Sequence, residues 1–88
     1  MDINTIEKFL KALGNKKRLQ IVKFLKSENE ANISKICQEI RISYKATANH
    51  LAKMKALDII GARRSGYNVY YFLIKPSKSI AKEIISYL

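Results

Sequence analysis

The feature that most restricts how this chain can fold is a change of hydrophobic period near residue 58. Before it, apolar residues recur every three to four positions, the spacing of helices packed on one face. After it, IIGAR and NVYYFLI, residues 59–63 and 68–74, are rich in β-branched and aromatic residues and flank RSGY. Two such runs around a glycine predict a β-hairpin with Gly66 in the turn. A chain of this kind must pack several short helices against a two-stranded ribbon.

The helices are readable one by one. Residues 3–13, INTIEKFLKAL, put Ile3, Ile6, Phe9, Leu10 and Leu13 at helical spacing, with Gly14 as the stop. Asn15 caps a second helix, about 16–27, whose apolar content is Leu19, Ile21, Val22, Phe24 and Leu25. SENEAN, residues 27–32, reads as a polar loop. Its last residue, Asn32, can cap ISKICQEI, where Ile33, Ile36, Cys37 and Ile40 form one face. Arg41 and Ile42 make a tight connection, and Ser43 caps a fourth helix, about 44–57. Thr47, His50, Leu51, Met54 and Leu57 share one side of that helix. Tyr44, Lys45, Ala48, Asn49, Ala52, Lys53 and Lys55 share the other. Pro76 ends the second strand, and SKSIAKEIISYL forms a last helix capped by Ser77 or Ser79, with Ile80, Ile84, Ile85 and Leu88 apolar.

Two short helices across a tight turn, the second with a polar leading end, describe a helix-turn-helix. Followed by a hairpin, they predict a winged helix-turn-helix. The fold class is α+β, mostly α, in the order H-H-H-H-E-E-H, as a single domain over residues 1–88.

Charge points to the partner. Seventeen basic residues against seven acidic ones leave a net charge of +10 on 88 residues. Half of that excess falls in residues 41–67, which hold six bases and one acid, Asp58. Such an excess favours a polyanion, with nucleic acid first. The expected contacts to double-stranded DNA are Ser43, Tyr44, Lys45, Asn49 and Lys53 on the fourth helix, with Arg63, Arg64 and Tyr67 on the hairpin. Asn can pair bidentately with adenine, Lys binds guanine or phosphate, and Tyr offers a hydroxyl or an apolar contact with the thymine methyl. Arg beside a turn suits flanking backbone or minor groove. Lys16, Lys17 and Arg18 could touch backbone at the edge of the footprint.

Other chemistry finds no support. No glycine-rich phosphate loop, nucleophile with a base, or paired carboxylates are present, so the chain is not expected to be an enzyme. His50 is the sole histidine and faces the packed side of its helix, so a hydrogen-bonded packing role is expected. Cys37, the sole cysteine, reads as a small core residue. One cysteine allows no internal disulfide, which fits a reducing cytoplasm. The N-terminus lacks the basic and apolar regions of a signal peptide, and no apolar run approaches the ~18 residues of a membrane span. An apolar content of 48% excludes a disordered chain.

Three stretches together resemble the ArsR/SmtB family of winged-helix transcriptional repressors. ALGNKKRLQIVKFL, residues 12–25, is similar to its opening, a small-Leu-Gly/Ala-polar run before a basic R-L-x-I-L-x-x-L. ISYKATANHLAKMKALDII, residues 42–60, resembles L-S-x-x-T-V-S-x-H-L-x-x-L-x-x-A-G-L-V. RRSGYNVYYFL, residues 63–73, resembles the R-x-G-R-x-V-Y-Y-x-L wing. The chain departs from the pattern at Thr47, where the family has Val, at Ala48, where it has Ser, and at Asp58, where it has Gly.

The resemblance implies a cytoplasmic, sequence-specific DNA-binding regulator, a repressor, dimerised through its first and last helices. The neutral charge of residues 1–14 suits such an interface. Other readings stay open: a winged-helix module for protein contacts, or an architectural DNA binder without sequence preference. The family's metal sites do not carry over. Its paired cysteines would fall on Ser34 and Cys37, and its His-carboxylate site on a last helix that holds Glu83 and no His. One thiolate cannot supply the three or four ligands of a Zn²⁺-class ion, so no metal and no cofactor are expected.

Overall fold

The computed structural model describes residues 2–75 and 79–88. Its elements are α1 (Ile3–Leu13), α2 (Lys16–Glu28), β1 (Glu30–Asn32), α3 (Ile33–Ile40), α4 (Tyr44–Ala56), β2 (Ile60–Ser65), β3 (Asn68–Leu73) and α5 (Ser79–Ser86). Side chains start four of the helices by accepting a backbone N–H three residues on. These are Asp2 for α1, Asn15 for α2, Asn32 for α3 and Ser43 for α4. Each satisfies one of the donors a helix N-terminus leaves orphaned.

The core lies where the helical faces meet the sheet. Ile21, Val22 and Leu25 of α2 pack with Ile36 and Ile40 of α3, Leu51 and Met54 of α4, and Ile59 and Ile60. Phe9, Ala12 and Leu13 close it from α1, and Ala81 and Ile85 from α5. Fully burying one such Ile, Leu or Met stabilises by roughly 1.5–3 kcal/mol, so the α2–α3–α4 contact dominates.

Residues 30–32, taken as part of a polar loop, form β1, antiparallel to β3 with Ala31 opposite Tyr71. The sheet is therefore three-stranded, in the order β1-β3-β2. Three residues are too few to display a period of two, and β1 exists because β3 offers it an open edge. Boundaries shift slightly as well: α2 runs to Glu28, and α4 ends at Ala56. The expected strand end at Pro76 and the Ser77 cap fall outside the described residues, as does the side chain of Ser79.

Among the described residues, three other than glycine take left-handed backbone angles: Asn29 (φ 72), Arg41 (φ 60) and Asp58 (φ 56). Each follows the end of a helix. The Asp58 conformation suits the glycine found there in the family this sequence resembles, and Asp tolerates this region better than most residues.

Candidate nucleic-acid interface

α3, the turn at Arg41–Ile42 and α4 form the helix-turn-helix. Thr47 seats α4 on α3. Its side chain is fully buried, and its hydroxyl donates to the Ser43 carbonyl at 2.8 Å and accepts from the Cys37 thiol at 3.2 Å. Leu51 and Met54 continue the same face into the core. Cys37 is half-buried rather than enclosed.

His50 flanks that face and accepts at Nδ1 from Arg18 Nε at 3.0 Å. The Arg18 guanidinium also donates to the carbonyl oxygens of Ala12, at 3.3 Å, and Lys11, at 3.5 Å. One side chain thus ties the end of α1, the start of α2 and the middle of α4. Burial pushes the His50 pKa below its ordinary value, and the positive charges of Arg18 and Lys53 push it the same way. Arg18 is therefore turned inward. Lys17 donates to the Ile40 carbonyl at the end of α3, at 3.3 Å, and Lys16 is exposed.

The opposite face of α4 is open. Ser43, Tyr44, Lys45, Asn49 and Lys53 are all exposed there, Tyr44 at 64%. Ser43, Lys45, Ala46, Ala48 and Asn49 line a shallow open hollow at the leading end. The small Ala46 and Ala48 leave room for another molecule to approach the helix closely. Lys45 and Lys53 have no ion-pair partner among the described residues. The amino end of a 13-residue helix adds partial positive charge at the same place.

β2 and β3 form the wing. Gly66 and Tyr67 join them, and Gly66 takes the positive φ of 61 that a tight hairpin turn needs at its first central position. Tyr67 is fully exposed at the tip. Strand alternation separates the two arginines. Ile60, Ala62 and Arg64 face the helices, since Ile60 is fully buried, whereas Gly61, Arg63 and Ser65 face outward. Arg64 has no ion-pair partner among the described residues. Arg63 instead donates to Glu30 Oε1 at 2.8 Å, its guanidinium 5.1 Å from the centre of the Tyr70 ring. Glu30 was missed in the sequence because it lies on the strand that could not be read there. No group of three or more His, Cys, Asp and Glu side chains able to hold a metal ion occurs among the described residues.

The arrangement is an exposed, cationic helix end beside an exposed hairpin tip, on a scaffold that known proteins share. The model of the bacterial regulatory protein, arsR family, matches residues 15–61, about half of the chain. The nodulation protein NolR of Rhizobium meliloti is 33% identical over 63 residues, covering 72% of this chain and 51% of NolR. The transcriptional activator HlyU of Vibrio cholerae is 31% identical over 64 residues, covering 73% of this chain and 58% of HlyU. The chain thus spans little more than half the length of either relative. Among solved structures, the transcriptional repressor PagR of Bacillus anthracis superposes with a TM-score of 0.80 at 25% identity, over 97% of this chain and 93% of PagR. HlyU and PagR are transcriptional regulators by name, and the chain belongs to the ArsR family of bacterial regulatory proteins.

Proposed function

We propose that the protein is a cytoplasmic, homodimeric, sequence-specific double-stranded DNA-binding transcriptional regulator that acts as a repressor. α4 enters the major groove by its leading end, with Tyr44, Lys45 and Asn49 at base edges and Ser43 and Lys53 at phosphates. Arg64 and Tyr67 of the wing lie on the flanking backbone or minor groove. The observation that carries this reading is the leading end of α4, where exposed polar and cationic side chains surround a shallow hollow. A repressor needs no contact beyond DNA, because occupying a promoter is enough to block it. The relatives include an activator and a repressor by name, so the sign of regulation rests on that economy.

The test is enrichment of bound duplexes from a random pool by the purified protein, followed by a salt series on the winner. A pseudo-palindrome bound far more tightly than random DNA is expected. Salt-dependent binding with no sequence contrast would instead mark an architectural binder, and no DNA affinity would mark a protein-interaction module.

A further inference from the structure

We infer that Arg63 and Glu30 form a brace across the outer face of the sheet, and that Arg63 serves DNA binding by aiming the wing rather than by touching DNA. The inference rests on the DNA-binding reading above. β1 and β2 are the two edge strands of the sheet, with β3 between them. Glu30 pairs opposite Phe72, and Arg63 opposite Tyr70. Residues two apart on a strand share a face, so all four project outward. The Arg63 side chain therefore crosses the middle strand, lies over the Tyr70 ring and reaches the Glu30 carboxylate on the far edge.

The far edge belongs to the helical body. Ala31 is buried, and Asn32 caps α3, the first helix of the helix-turn-helix. Glu30 is thus a fixed point relative to α4, while β2 runs out to the wing tip. A link between them sets the angle at which Arg64 and Tyr67 leave the body. Ion pairs with both side chains about half-exposed are screened and add little to stability. The brace therefore affects wing direction more than folding.

A charge swap separates this role from direct contact. DNA affinity is measured for Glu30→Arg, Arg63→Glu and the double variant on the duplex enriched by the wild-type protein. Melting temperature is followed alongside. Glu30→Arg adds two positive charges, so simple electrostatics would tighten DNA binding. The brace predicts instead a loss on the order of fivefold. The double variant keeps the net charge and restores the pair with reversed polarity, so its affinity should return close to that of the wild type, with melting temperatures almost unchanged throughout. Tighter binding by Glu30→Arg would overturn the brace. So would a double variant as weak as Arg63→Glu, because a direct phosphate contact is not rescued by moving the charge. A wild-type protein that enriches no duplex would overturn the DNA-binding reading itself.

Discussion

Asn49 and His50 are neighbours on α4 with opposite surroundings, one exposed on the open face and the other bonded to Arg18. Asn49→Ala should cost about 1–3 kcal/mol on the enriched site and little on random DNA, by competition binding. Equal losses on both would remove Asn49 from base reading. His50 gives a pH signature. Its pKa is lowered in the folded state, chiefly by burial, so the folded protein binds fewer protons than the unfolded chain just below the ordinary value of about 6.5. Its contribution to stability is thus fully present above that value and is lost as pH falls through the lowered one. Melting temperature should drop from neutral pH toward about pH 5. His50→Gln, which still offers Arg18 an acceptor but does not titrate, should show a flatter profile. Parallel profiles for the two proteins would exclude His50 as the source.

At the scale of the element, each helix was readable because its start and its buried face are both local. Asn15, Asn32 and Ser43 accept from the N–H three residues ahead, as their positions implied. The strands were readable only as a pair. Whether a residue of β2 faces the helices depends on the register against β3, and that register places Gly61 opposite Phe72. A Cβ added at Gly61 would lie 2.7 Å from the Phe72 ring, well inside contact distance. Gly61→Ala should therefore push the ring outward and destabilise by about 1–3 kcal/mol in a denaturant titration. The companion change Phe72→Leu should recover part of that loss. Wild-type stability for Gly61→Ala alone would show that the ring gives way freely.

Across the whole molecule, apolar surface is left uncovered on α1 and near the C-terminal end. Ile3 is 83% exposed and Leu10 49%, with half-buried Ile6 between them on α1. On α5, Ile80 and Ile84 are half-buried, and just after it Leu88 is half-buried and Tyr87 exposed. Isologous pairing of these helices would cover both stripes and set two α4 helices about one DNA turn apart, ~34 Å. Light scattering should find a dimer at micromolar concentration. The double variant Ile3→Glu, Leu10→Glu should be a folded monomer with much weaker affinity for the pseudo-palindrome. A wild-type monomer, alone and on DNA, would refute the assembly.

The sequence alone determined the helix-turn-helix, the hairpin, the +10 charge and its concentration in residues 41–67. Periodicity, capping and charge density are properties of neighbours along the chain. It also marked Ser43, Tyr44, Lys45 and Asn49 as the leading end of α4, since a helix turns its faces by counting residues. Tertiary structure decided what depends on partners far away in the chain. β1 needs the open edge of β3, and His50 needs Arg18, 32 residues earlier. Arg63 and Arg64, adjacent and alike in sequence, part company for the same reason: the pleat sends them to opposite faces, and only the fold brings Glu30 within 2.8 Å of one of them.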